Sequence, residues 1–209
     1  MQESIASIVG PCRQLAAKPT IQLGCLVELA GSIALTDAQI DALTRPDPSK
    51  PYGRRVLMAT DRLEVMVATW TPGVYCAPHD HGGSVGAVRI LRGAADHHIW
   101  SLETDPKRRL ALRHRHVAEQ GEILACGPDT IHSMASAGPN QPMVTLHLYT
   151  QSIPYMVVYA PEQDETLLVD GGCGAWIPDD APELIGARIP GIWRRHEIAD
   201  RWSERPATH

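Results

Sequence analysis

His79 and His81 flank an aspartate, and in an extended backbone alternate side chains share a face. The two imidazoles therefore point one way and Asp80 the other. Two neutral imidazoles side by side make half of a site for a first-row transition metal. More histidines follow. His132 stands eleven residues after Gly121, and Thr145, His147 and Tyr149 alternate along an apolar run. Gly138-Pro139-Asn140 reads as a hairpin turn. Centred between Pro139 and Asn140, it sets His132 directly opposite His147, about 5 Å away. In that register His132, His147 and Tyr149 crowd one pocket. Arg54 is the candidate grip for an acid group, because a guanidinium fork pairs bidentately with a carboxylate. Tyr52 shares its face in an extended segment, and the adjoining Arg55 faces away.

These side chains need a scaffold that brings distant segments together. Residues 2–45 read as helical, with Thr36 and Gln39 forming a capping box at a helix start. The stretch Arg45-Pro46-Asp47-Pro48 breaks any helix. From Tyr52 to about Asp170, short apolar or alternating runs recur between turn signals. Strands are predicted near Arg54–Ala59, Leu63–Thr69, Val85–Leu91, Asp96–Glu103, Leu110–Ala118, Ile123–Cys126, His132–Ala135, Met143–Tyr149, Tyr155–Tyr159 and Leu167–Val169. Many short strands at this spacing imply an all-β barrel or sandwich. The predicted organisation is an N-terminal helical segment (1–50), a barrel (51–170) and an irregular C-terminal extension (171–209), with a short helix near Arg194–Trp202.

Composition narrows the function classes. The chain of 209 residues is 44% hydrophobic and 21% charged, as expected of one soluble domain. A net charge of -5 gives no nucleic-acid footprint. There is no apolar run of about 18 residues, so no membrane span is expected. The start, Met-Gln-Glu-Ser, has no basic region ahead of a long apolar stretch, and no signal peptide is expected. The five cysteines are scattered, without CxxC spacing, which suits reduced thiols in a cytoplasm. A monomer or small homo-oligomer is expected.

Gly73-x5-His79-x-His81-x4-Gly86-x6-Gly93 has the spacing of the first cupin motif, and Gly121-x10-His132 that of the second. More narrowly, Tyr52-Gly53-Arg54, Trp70, His79-Asp80-His81, His132 and Thr145-Leu146-His147-Leu148-Tyr149 resemble the cysteine dioxygenase type I family over about residues 52–159. The resemblance implies a cupin double-stranded β-helix (jelly-roll) barrel with an N-terminal helical layer. It implies iron(II), Fe(2+), on His79, His81 and His132, and a small thiol amino acid and O2 as partners. L-cysteine would give cysteine sulfinate, both oxygen atoms passing to sulfur. Arg54, helped by Tyr52, would pair with the substrate carboxylate. His147 and Tyr149 would be catalytic, with Thr145 orienting His147. Gly86 stands where many cupins have a carboxylate and where animal relatives have a Cys crosslinked to the tyrosine matching Tyr149, so Tyr149 is expected to be a free phenol.

Other residues carry plainer readings. His114 and His116 alternate with Arg113 and Arg115, and no third ligand is suggested. His97 and His98 point to opposite faces and read as barrel exterior or rim. Asp80 reads as a hydrogen-bond acceptor, Cys76 and Cys126 as small buried residues, Trp70 as core, and Arg194-Arg195-His196 as a solvated face. Alternatives stay open at this level: dioxygenation of 3-mercaptopropionate or another small thiol, a non-catalytic cupin binding a small ligand, or a zinc hydrolase, since three histidines also hold catalytic zinc.

Overall fold

A computed structural model describes residues 2–138 and 142–198. Helices α1 (Gln2–Ala16), α2 (Leu23–Ser32) and α3 (Asp37–Leu43) come first. The predicted cap of α3 is present: Gln39 N–H donates to Thr36 Oγ1 at 3.3 Å, and Thr36 N–H to Gln39 Oε1 at 2.9 Å. After the proline-rich break come β1 (Tyr52–Ala59), β2 (Glu64–Trp70), β3 (Gly86–Arg92), β4 (Ala95–Glu103), β5 (Arg109–Ala118), β6 (Ile123–Cys126), β7 (Ile131–Ser136), β8 (Met143–Tyr149), β9 (Tyr155–Ala160) and β10 (Glu165–Asp170). Every predicted strand is there, with ends shifted by a residue or two.

The tail departs from the irregular reading. A further strand, β11 (Ile185–Pro190), pairs with β10, and helix α4 (Arg195–Ile198) follows. A short strand holding Gly186 and ending on Pro190 gives almost no alternation to read, and it survives by pairing along one edge. The part of the predicted helix beyond residue 198 lies outside the described residues.

The strands form two walls. One is a five-stranded sheet ordered β1-β2-β8-β3-β6. The other has two pieces, β11-β10-β9 and β5-β4-β7. His79 joins these pieces by bridging His132 of β7 on one side and Val158 of β9 on the other. This is a cupin double-stranded β-helix, and the point where its second wall closes is the first metal-ligand candidate.

The same topology corrects the hairpin expectation. β7 pairs with β4, whereas β8 lies between β2 and β3 in the opposite wall. His132 therefore faces Ile99, and His147 faces Met66 and Val88. The predicted turn falls partly on residues 139–141, outside the described part. Here the chain crosses from one wall to the other between β7 and β8, which a purely local hairpin argument cannot foresee.

The helical layer explains an inverted pattern in the wall beneath it. Ile8, Leu15, Leu26 and Leu43 pack on Val65, Val67, Leu146 and Leu148, which point out of the barrel. With that face already covered, β8 turns Thr145, His147 and Tyr149 inward, and all three are buried. No single described helix is long and apolar enough to cross a membrane.

Candidate metal centre

The expected strand through His79 and His81 is only a rung. His79 N–H donates to His132 C=O at 2.9 Å and His132 N–H to His79 C=O at 3.0 Å. Asp80 N–H donates to Val157 C=O on the other side at 3.0 Å. The backbone is extended just long enough for alternation to hold. Asp80 turns away, its Oδ1 accepting from Gly82 N–H and Val157 N–H, each at 3.0 Å. Its Oδ2 lies 3.9 Å from Arg195 Nε of α4, so Arg195 is tied to the ligand-bearing loop rather than lying on a solvated face.

His79, His81 and His132 are all buried, and one nitrogen from each lies within 4.8 Å of the others. His81 Nε2 and His132 Nε2 are 3.1 Å apart. Two nitrogens bound to one ion at about 2.1 Å stand roughly 3.0–3.4 Å apart, so this spacing fits a shared cation. The far side of each ring is arranged differently. His79 Nδ1–H donates to Ala77 C=O at 2.9 Å, which leaves Nε2 with its lone pair free. His132 Nδ1 lies 2.9 Å from His97 Nε2. His81 Nδ1 is buried with no partner among the described residues. The donor set is thus three uncharged nitrogens, which suits a first-row transition ion.

His97 corrects the rim reading. It and His98 do point to opposite faces, but His97 turns into the barrel and is buried, while His98 lies outward beside Asp96 at 3.3 Å. The available signal was the ion-pairing set on the outer face, where Arg115 also reaches Asp96 at 2.7 Å, forcing His97 inward by alternation.

A polarised chain runs along β8. Trp70 Nε1–H, a pure donor, gives its hydrogen to Thr145 Oγ1 at 2.8 Å. The threonine hydroxyl then donates to His147 Nε2 at 2.7 Å, and His147 Nδ1–H to Tyr149 Oη at 2.9 Å. This assignment satisfies every group in the chain. It leaves the Tyr149 hydroxyl hydrogen directed at the centre, with His81 Nε2 3.4 Å away. Burial lifts the Tyr149 phenol well above its usual range, so it stays a donor. Its ring lies over bare Gly86: a Cβ there would stand 2.5 Å from Tyr149 Cδ1.

Tyr52, Arg54, Glu64, His79, His81 and Tyr149 line one cavity, with Gly171, Gly174 and Ala175 of the tail closing it. It has about 20 Å³ for water-sized molecules, room for one or two waters. Strand alternation separates the two arginines as expected: Arg54 enters the cavity, and Arg55 Nη1 donates outward to Ala42 C=O of α3 at 2.8 Å. Arg54 Nη1 donates to Gly171 C=O at 2.8 Å and Gly172 C=O at 2.7 Å. Its Nη2 lies 3.5 Å from Glu64, and its buried Nε has no partner among the described residues. Tyr52 Oη accepts from Ala175 N–H at 2.8 Å. The sequence reading missed Glu64 and the 171–175 loop. Glu64 was findable, since a carboxylate at an inward position of an apolar strand needs a cation nearby.

Five buried neutral imidazoles give a pH signature. Burial holds His79 and His97 down to about 4 and His147 to about 3, and keeps His81 and His132 well below the ordinary value. In the unfolded chain all five titrate near 6.5, so between about pH 6.5 and 4 the unfolded state binds more protons. Stability of the metal-free protein falls as pH drops through that window, by up to about 1.4 kcal/mol per pH unit per ring. Thermal melts after chelation, at pH 7 and pH 5, check this. An equal melting temperature at both would mean the rings are not neutral and buried.

Residues 2–162 match the family model described as Cysteine dioxygenase type I. Among solved structures, the chain is similar to a protein with a double-stranded β-helix domain from Klebsiella pneumoniae subsp. pneumoniae (18% identity, 58% of this chain, 94% of that chain, TM-score 0.46). It is also similar to a Thermus thermophilus protein (15%, 56% and 96%, TM-score 0.44) and a cupin superfamily protein of Desulfitobacterium hafniense (14%, 53% and 85%, TM-score 0.40).

Proposed function

Because this chain belongs to the cysteine dioxygenase type I family, we propose that it is an iron(II)-dependent thiol dioxygenase that converts L-cysteine to cysteine sulfinate. The observation that carries the reading is a buried cluster of three neutral imidazoles, two of which line one cavity together with a guanidinium and a protonated phenol. Bound at His79, His81 and His132, iron(II) would supply open positions for a thiolate and O2, and three uncharged ligands leave its charge free to attract the thiolate. The rest belongs to the chain's own side chains. Arg54 offers its unpartnered Nε–H, flanked by Nη2, to a carboxylate, and its Nη1 is already anchored by two backbone carbonyls. Tyr149 holds a hydrogen at the centre through Oη, set there by the Trp70–Thr145–His147 chain. The narrow cavity between the two walls and the tail loop favours small thiols.

Arg54 itself would grip the carboxylate of either thiol; the preference for L-cysteine rests on the resemblance, because 3-mercaptopropionate dioxygenases usually carry Gln at that position. Oxygen uptake by the iron(II)-loaded protein, measured with each thiol and with sulfinate as product, tests this. Faster turnover of 3-mercaptopropionate reverses the substrate assignment. Bound zinc with no uptake on any thiol overturns the dioxygenase reading.

A further inference from the structure

We propose that His97 is a positioning residue for the metal centre, the acceptor that fixes the ring and tautomer of His132. The inference rests on the three-histidine centre and not on which thiol is oxidised. On the barrel's inner face His97 and His132 are diagonal neighbours, since β4 sets His97 opposite Met134 and Ile99 opposite His132. Both are buried, their ring planes stand at 81°, and His97 Nε2 is 2.9 Å from His132 Nδ1. His97 Nε2 is engaged with His132 Nδ1, on the opposite side of that ring from the Nε2 presented to His81, so it acts through His132.

The tautomers follow from connectivity. His132 presents Nε2 to the centre, because that atom faces His81 Nε2. A ring bound through Nε2 carries its hydrogen on Nδ1. The acceptor placed for that hydrogen is His97 Nε2, so His97 must carry its own hydrogen on Nδ1. The contrast with His79 sharpens the point. The Ala77 carbonyl that orients His79 can only accept, so that ring is fixed by backbone alone. His132 depends on a side chain, and the protein therefore exposes one of its three ligands to single-residue control. Outer partners of metal-bound histidines are worth roughly 10–100-fold in affinity.

The test compares His97→Leu, which has no acceptor, with His97→Gln, whose amide oxygen accepts in a similar place. The readout is anaerobic chelator competition for iron(II) and cobalt(II), with no turnover involved. The expected result is roughly 10–100-fold weaker binding for His97→Leu and recovery to within about threefold of wild type for His97→Gln. Leu binding as tightly as wild type overturns the proposal, and so does an equal loss in both variants. A measurement on the unmutated protein covers the case in which Leu does not fold. In the zinc-loaded form, long-range nitrogen NMR is expected to show His97 Nε2 without hydrogen, and a hydrogen on Nε2 overturns the proposal. Failure of the wild-type protein to bind metal would instead remove the centre itself, so the two failures are distinguishable.

Discussion

On the proposed function, His132→Ala is expected to abolish oxygen uptake with cysteine and to weaken iron(II) binding by more than about 100-fold. The bound is set by what the loss of a mere outer partner reaches at its largest, roughly 100-fold, and here a ligand itself is removed. The fold survives, because the rung joining the second wall is made by the backbone groups of His79 and His132, which Ala keeps. The metal-free variant is destabilised by the orphaned His97 Nε2, a cost of about 1–3 kcal/mol, and further by the cavity left where the buried ring stood. Metal content and an oxygen electrode decide the matter. Stoichiometric iron or persistent uptake in the variant would show that the three imidazoles are a buried polar cluster and not a ligand set.

The second large effect separates binding from neutralisation. On the same reading, Arg54→Gln is expected to lower kcat/KM for cysteine by roughly 10–100-fold, the worth of a charge-assisted bond to a carboxylate, and to leave a thiol without a carboxylate, such as cysteamine, nearly unchanged. The single variant also strands Glu64, whose side chain is 10% exposed. Leaving a buried charge without its partner costs about 3–5 kcal/mol, so its melting temperature drops as well. Adding Glu64→Gln removes the stranded charge. The double variant regains stability but not cysteine turnover. Should it regain both, Arg54 serves only to neutralise Glu64, and the carboxylate grip lies elsewhere.

Much of this was legible in one dimension because its physics is local. Alternation in an extended backbone pairs His79 with His81 and turns Asp80 away, wherever the segment sits. The same rule orders Thr145, His147 and Tyr149 on one face of β8 and separates Arg54 from Arg55. Turn residues bound the strands, and a capping box marks the start of α3. What failed was everything that depends on which strands become neighbours. His132 and His147 were set face to face by a local hairpin, while the jelly roll puts them in opposite walls. His97 was assigned to the rim because only the pairing of β4 with β7 brings it to His132.

Residue type and a period of two are properties of adjacent positions, so the amino-acid order was enough for β1 to β10, the pairing of His79 with His81, the separation of Arg54 from Arg55 and the alternating chain on β8, while His132 as the third candidate ligand came from the motif resemblance. It was not enough for three other features. Only the assembled barrel makes His79 close the second wall, puts Glu64 in the arginine's cavity, and lets the tail loop at Gly171 anchor Arg54 Nη1. That anchoring needs contact so close that a Cβ on Gly171 would stand 1.6 Å from Ile153 C=O. The physical reason is common to all three. Each joins segments distant in sequence, whose approach is set by wall-to-wall packing rather than by any preference a neighbouring residue expresses.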